Sequence, residues 1–371
     1  MLDKFLILTI NPGSTSTKVA IFENEQLLIQ KNIKHETKEL EAFQSVYEQL
    51  DFRTNCILQI LEEEKIDGTK LHAISARGGL VRPIPSGTYE IDEWMLDDLK
   101  NQKLGQHASN LGAPIAKSLS EKFHIPCYIV DPVVVDEMDS IARISGFKYV
   151  QRKSLFHALN QKAVAKRYAK EVNRPYESLR LVVCHMGGGI TVGAHAEGRV
   201  IDVNNGLDGE GPFTPERTGT IPAGDLVHLC FSGELTKDQI MKAIVGQGGL
   251  VGLLGTNNAL EIEERIHNGD TNAQLVYEAM AYQVAKEIAS FSAVLKGELD
   301  AVIITGGLAH SNLLIQWIKE RIHWIGEIVV IPGEDEMLAL CQGALRVLIG
   351  QEEAKNYEQS ICHELVSERY Y

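Results

Sequence analysis

The chain has 371 residues, of which 44% are hydrophobic and 23% charged, with a formal net charge of −14. That length makes two domains the default for a globular protein, and the negative charge argues against nucleic-acid or anionic-membrane partners, which it would repel. No apolar run reaches the roughly 20 residues of a membrane helix, and no signal peptide is visible. Six scattered cysteines (Cys56, Cys127, Cys184, Cys230, Cys341, Cys362) without a C-x-x-C pair fit reduced cytoplasmic thiols better than zinc or disulfides.

In chain order, Phe5–Ile10 reads as a buried strand, Asn11–Thr17 as a polar turn-rich loop and Lys18–Phe22 as a second strand. Ser14, Thr15, Ser16, Thr17 and Lys18 all offer donors to an anion, although hydroxyls in a turn are also ordinary structural residues. Residues 40–64 place Phe43, Val46, Leu50, Ile57, Ile60 and Leu61 at helical spacing and predict one amphipathic helix. His72–Ala76 is a short strand running into Arg77-Gly78-Gly79, and Arg82 begins a proline-stiffened loop. Arginine is suited to clamping a carboxylate or phosphate bidentately.

His107 precedes a helix expected through Leu119 and by itself reads as a cap or surface residue. Pro126–Val130 is strand-like and delivers Asp131 at its C-terminal end, where α/β sites collect. Phe156 and His157 stand at the entrance of a helix reaching about Val172.

A run of β-formers from Leu181 to His185 and Met186 then meets Gly187-Gly188-Gly189, and a second run, Ile190–Ala194, leads away. Three glycines can aim several N–H groups at one spot, which suits an anion. The strand that follows distinguishes this loop from a P-loop or dinucleotide turn, and a plain hairpin is the alternative. The stretches Asp202–Gly219, which holds Arg217, and Gly246–Asn258 are glycine-rich with little periodicity. Leu275, Ala279, Tyr282, Lys286 and Ala289 mark successive turns of a strong helix. A third β-to-glycine loop, Gly306-Gly307, leads into a helix from Ser311 to Arg321, and after the strand Ile328–Ile331 the closing helix spans Met337–Ile349. The strand–loop–strand plan of residues 5–22 recurs at 181–202, a sign of two related halves.

Taken together, Asn11-Pro-Gly-Ser-Thr-Ser-Thr-Lys18, Ala76-Arg-Gly-Gly-Leu-Val-Arg-Pro-Ile-Pro-Ser-Gly87, His185-Met-Gly-Gly-Gly189 and Gly306-Gly307 resemble, in order and over nearly the whole chain, the acetate and butyrate kinase family. The similarity is greatest to its butyrate and branched-chain fatty acid kinase branch. The resemblance implies an α/β, two-domain, actin-like ATPase (ribonuclease H-like) fold, each domain a mixed β-sheet flanked by helices, with the active site in the interdomain cleft. The expected domains are 1–131 with 337–371, and 132–336.

It further implies reversible phosphoryl transfer from ATP to a short-chain fatty acid carboxylate, giving acyl phosphate and ADP with Mg²⁺, in a cytoplasmic homo-oligomer of two or more chains. Asn11, Arg77, His157 and Arg217 would be catalytic. Arg77, its rival Arg82, His107 and Phe156 would bind the acid. Ser14, Ser16, Lys18, His185, Gly187, Gly188, Gly189, Gly306 and Gly307 would hold the nucleotide, and Asp131 and Glu336 would serve the metal. At Gly188 the acetate kinase branch carries asparagine, which leaves only a backbone role there. A carboxylate needs no general base, so cations and hydrogen-bond donors should dominate. A sugar or polyol kinase, which would need such a base, and a non-catalytic actin-like ATP-binding protein are the competing readings. Acetate, propionate, isobutyrate, isovalerate and valerate remain open as acids beside butyrate.

Overall fold

The computed structural model describes residues 4–362 and contains two sheets, one in each of two units. One unit is the chain through Asp136 together with the segment from Asp335 onward; the other is Glu137–Glu334. The last nine positions of the expected first domain, 363–371, lie outside the described residues.

In the first unit, β1 (Leu6–Pro12), β2 (Ser16–Glu23), β3 (Gln26–Lys34), β4 (Ala73–Arg77), β5 (Thr88–Glu90) and β6 (Cys127–Val130) form a mixed sheet in the order β3-β2-β1-β4-β6-β5. The β1–β2 pair is antiparallel, whereas β1, β4 and β6 run parallel. Parallel strands are usually covered on both faces and read as continuous apolar runs. Ile7, Leu8, Ile10, Ala73, Ile74 and Ile129 are accordingly fully buried. The helix Glu336–Leu348 packs on this sheet, with Met337, Cys341, Ala344 and Leu345 against Ile7, Phe22, Ala73 and Tyr128.

In the second unit, β7 (Leu181–Met186), β8 (Ile190–Ala196), β9 (Arg199–Val203), β10 (Ala301–Gly306) and β11 (Ile328–Pro332) follow the order β11-β10-β7-β8-β9. Successive side chains of β7 go to opposite faces. Val182, Cys184 and Met186 pack with the helix Thr271–Val294, and Leu181 and Val183 with the helix Ala158–Glu171. The two sheets repeat one plan: three antiparallel strands, β1–β3 or β7–β9, continue through parallel strands β4 and β6, or β10 and β11.

Several local expectations change. Residues 40–64 are not one helix: a turn at Thr37–Leu40 is followed by irregular chain, and the regular helix begins at Leu50. Phe43 instead lies against the ring of Phe52, at a centroid distance of 5.8 Å, from outside that helix. The first loop is shorter than expected because β1 continues to Pro12 and β2 begins at Ser16, leaving residues 13–15. The Gly246–Asn258 stretch contains a helix, Gly249–Leu254. On Thr271–Val294 the buried face is Tyr277, Met280, Ala281, Val284 and Ile288, while Leu275 and Tyr282 lie on the exposed face. No helix among the described residues is long and apolar enough to cross a membrane.

Candidate functional site

The candidate residues fall into one group on each unit. On the first, the β1–β2 hairpin carries Asn11 at the end of β1, opposite Lys18 on β2. Lys18 and Ser14 are exposed, Ser16 is half-buried and Asn11 is buried. Beneath the loop lies a residue that sequence patterning does not single out, Arg53, with 1% of its surface exposed. Its Nη1 donates to Gly13 O at 2.8 Å, Ser16 O at 3.1 Å and Thr17 Oγ1 at 3.1 Å. Its Nη2 donates to Ser14 O at 3.1 Å, and Nε and Nη2 both reach Gln49 Oε1. Burial pulls the Arg53 guanidinium down from its ordinary range. The loop carbonyls are thus turned inward onto a cation, which leaves the serine side of the loop outward.

Glu336 joins three elements of this unit. It accepts from Asn11 Nδ2 at 2.5 Å and lies 3.1 Å from Arg77 Nη1. Arg77, at the end of β4, shares its neighbourhood with the His107 turn. Asn110 Oδ1 accepts from Leu80 N at 2.9 Å, and a Cβ on Gly79 would stand 2.6 Å from Asn110 Cα. Glycine at 79 is therefore what lets the two loops touch. His107 itself is exposed and caps the turn Ala108–Leu111, with Nδ1 2.7 Å from Ser109 Oγ. Arg82 is committed elsewhere, donating to the buried Asp98 at 2.8 Å in a set that includes Lys103 and Tyr357.

Asp131 follows β6 with φ +38°, a backbone region costing a non-glycine residue about 1–3 kcal/mol. Its carboxylate accepts from Ser86 Oγ at 2.6 Å and Gly87 N at 2.8 Å, which hold it there. Among the described residues no cluster of three or more His, Cys, Asp or Glu side chains could form a metal cage. Mg²⁺ does not require one, since it is bound through one or two carboxylates together with water and phosphate oxygens. The hard oxygen donors Asp131 and Glu336 fit that chemistry.

On the second unit, the β7–β8 hairpin closes with Gly187 N donating to Gly189 O at 2.9 Å. His185, 1% exposed, stacks on His157 with ring centroids 3.9 Å apart and an interplanar angle of 18°. His185 Nδ1 is 2.7 Å from Asn160 Oδ1. Glu334 Oε1 lies 3.1 Å from His185 Nε2, within ion-pair reach but off the direction in which that nitrogen bonds, so Nε2 makes no hydrogen bond among the described residues. A Cβ at Gly187 would stand 2.7 Å from that Glu334 oxygen. His157 is half-buried and its Nδ1 is 2.9 Å from Thr191 Oγ1; Phe156 beside it is 3% exposed and belongs to the core.

Arg217 packs under the glycine loop. Its Nη1 donates to Gly206 O, and a Cβ at Gly189 would come within 2.1 Å of the same nitrogen. Burial lowers the Arg217 pKa from its usual value. Thr214 ties this segment to the loop: its hydroxyl donates to Gly188 O at 2.7 Å and accepts from Arg217 N at 3.0 Å. Gly306 has φ +93° and backs directly onto Met186, where a Cβ would meet the Met186 carbonyl oxygen at 2.3 Å, whereas the space beside Gly307 is open. Asn160 and Thr214 escaped sequence reading, yet Asn160 sits three residues after His157, one helical turn on.

A model of the acetokinase family matches residues 140–354. The chain is 56% identical over 355 residues to butyrate kinase 2 of Clostridium acetobutylicum, covering 96% of this chain and 100% of that one. It is similar in structure to acetate kinase of Porphyromonas gingivalis, with 18% identity, a TM-score of 0.77, and 93% of this chain and 100% of that one covered. A propionate kinase from Francisella tularensis subsp. tularensis gives 20% identity and a TM-score of 0.75, over 91% and 98%. These likenesses and the two helix-flanked mixed sheets establish the actin-like ATPase type of α/β fold. With its family model and its near-full-length relative in agreement, the chain belongs to the acetokinase family.

Proposed function

We propose that the protein is a butyrate kinase, transferring a phosphoryl group reversibly from ATP to the carboxylate of a four-carbon acid to give butanoyl phosphate and ADP. The observation that carries this reading is the 56% identity to a butyrate kinase across 96% of the chain. The site chemistry supports it. A carboxylate is ionised at neutral pH and attacks without losing a proton, so the protein must position the reactants and neutralise charge. A new bond forms between a carboxylate oxygen and the γ-phosphorus while the bond from that phosphorus to the β,γ-bridging oxygen breaks.

In this scheme Arg77 holds the acid, with the His107 turn beside it, and Arg82 is the weaker candidate because its partner Asp98 is buried and closer, at 2.8 Å, than the part-exposed Glu336 is to Arg77, at 3.1 Å. Arg217 and His157 donate to the transferring group, and Asn11, Ser14, Ser16 and Lys18 receive nucleotide phosphates. Backbone N–H groups of Gly188, Gly189 and Gly307, with His185 behind them, complete the nucleotide contacts. Gly187 and Gly306 serve by shape because their N–H groups already donate to Gly189 O and Gly333 O, and Phe156 shapes the acid pocket from the core. Asp131 and Glu336 would hold Mg²⁺, which supplies charge neutralisation on the phosphates. A sugar kinase would need a carboxylate free to take a hydroxyl proton. Glu336 is bound to Arg77 and Asn11, and Asp131 to Ser86 and Gly87.

The test is an ATP-dependent hydroxamate assay across acetate, propionate, butyrate, isobutyrate and isovalerate. Activity should peak with butyrate and fall about 10³–10⁵-fold in Arg217→Ala, the range reported for arginines on a transferring phosphoryl group. A peak at acetate or at the branched acids moves the assignment within the family. No acyl phosphate from any acid, in protein that still binds ATP, ends it.

A further inference from the structure

A chain of hydrogen bonds runs through the second unit to His157, and every member before the last is buried: Tyr176, His195, Gln161 and Thr191 expose 6%, 0%, 0% and 0%. Its links are Tyr176 Oη to His195 Nδ1 at 2.8 Å and His195 Nε2 to Gln161 Oε1 at 3.0 Å. Gln161 Nε2 then meets Thr191 Oγ1 at 2.9 Å, and Thr191 Oγ1 meets His157 Nδ1 at 2.9 Å.

One fixed acceptor sets the direction of all of them. Gln161 also lies 3.0 Å from the Thr191 carbonyl, which can only accept, so the amide end facing Thr191 is the NH₂. Its oxygen therefore faces His195, whose Nε2 must carry a proton. Burial holds His195 far below the usual histidine range, and its ring is neutral, so Nδ1 accepts from the Tyr176 hydroxyl. At the other end, Thr191 Oγ1 already accepts from Gln161 Nε2 and, at a longer 3.5 Å, from His157 N. Both of these partners are donors, so among the described residues His157 Nδ1 is the acceptor left for the hydroxyl proton.

We infer that Tyr176, His195, Gln161 and Thr191 are positioning residues that hold His157 as its Nε2–H tautomer, the form that donates from Nε2 to the transferring phosphoryl group. The fold is arranged for it. Thr191 pairs with His185 across the β7–β8 hairpin, and Thr191, Gly193 and His195 share one face of β8. A Cβ at Gly193 would stand 2.7 Å from Gln161 Oε1, so glycine there admits the amide between the threonine and the histidine. Buried polar groups cost stability unless paired, and a satisfied network fixes one arrangement.

The tautomer part stands on these contacts alone; the donation rests on the kinase reading above. The test is ¹⁵N spectroscopy of the imidazole rings in the full-length wild-type protein, with the His157 signals assigned by their loss in His157→Gln. The expected spectrum shows His157 protonated at Nε2 and unprotonated at Nδ1, retained in Thr191→Ser and mixed in Thr191→Val. Thr191→Val should lower kcat about 10–100-fold, with the KM for ATP changed by less than about two-fold, as for other partners that orient a functional histidine. A wild-type ring protonated at Nδ1, or an unchanged ring signature and kcat in Thr191→Val, overturns the inference. The expected spectrum together with full activity in His157→Gln would leave the tautomer in place and overturn the donation to the phosphoryl group.

Discussion

The two hairpins at the heads of the two sheets solve one problem in opposite ways. Both are short loops between antiparallel strands, at 13–15 and 187–189. The first presents hydroxyls and has its carbonyls drawn inward by the buried Arg53. The second has no side chains to present, and its glycines let Arg217, His185 and Glu334 approach the backbone. One loop is polarised from behind by a cation that cannot reach a ligand. The other makes room for an arginine held beside the loop itself. A glycine loop is thus defined by what it admits, a serine loop by what restrains its backbone.

The largest effect should come from filling the space in the second loop. Gly189→Ala places a methyl group 2.1 Å from Arg217 Nη1 and should displace the guanidinium, lowering kcat by about 10²–10³-fold. Gly188→Ala meets only the Glu216 carboxylate, at 3.7 Å and beyond, and should lose at least about 10-fold less. Equal losses in the two variants, measured by the hydroxamate assay, would mean that the loop backbone matters and its room for Arg217 does not.

Next is the restraint behind the first loop. Arg53→Met strands the carbonyls of Gly13 and Ser14, each at a cost of about 1–3 kcal/mol when left without a donor, while Ser16 O keeps Gly13 N. Urea unfolding should show a loss of about 2 kcal/mol or more, and the KM for ATP should rise. Arg53→Lys should recover only part, because an ammonium cannot reproduce the planar fork. An unchanged KM in a destabilised protein would assign Arg53 to stability alone.

The smallest effect lies behind the second sheet. Glu287, half-buried on the Thr271–Val294 helix, is pushed up to about 7, first by burial and then by the Glu210 carboxylate, with Arg152 opposing. The folded protein therefore binds this proton more tightly than the unfolded chain does. Its contribution is fully present below about 4.5, declines as pH rises towards 7, and is flat above. Glu287→Gln should raise stability at pH 8 by on the order of 1–2 kcal/mol, allowing for solvent screening, and do little at pH 4. The same urea midpoint shift at both pH values would show that the carboxyl does not titrate in this window.

Much of this was legible in the chain. The runs at 7–10, 181–186 and 301–305 form strands because each is buried on both faces, and the recurrence of 5–22 at 181–202 corresponds to the repeated sheet order. The glycine triplet and Arg77, His157 and Arg217 stand out because few residue types tolerate tight turns or bind phosphate. Residues 40–64 misled because helical spacing does not distinguish a continuous helix from a loop that returns one aromatic ring to its side.

By itself, then, the sequence determined where the strands, the glycine turns and the cationic side chains fall, since these follow from local pattern and residue type. Only tertiary structure decided which groups act together. Arg53 is an ordinary helix arginine until its helix lies behind the first hairpin. Gln161 and Thr191 are 30 residues apart, and their link exists only because the Ala158–Glu171 helix packs on a sheet whose β8 carries a glycine at 193. Hydrogen bonds between distant elements depend on packing to within a few tenths of an ångström, and no local pattern in a chain encodes that distance.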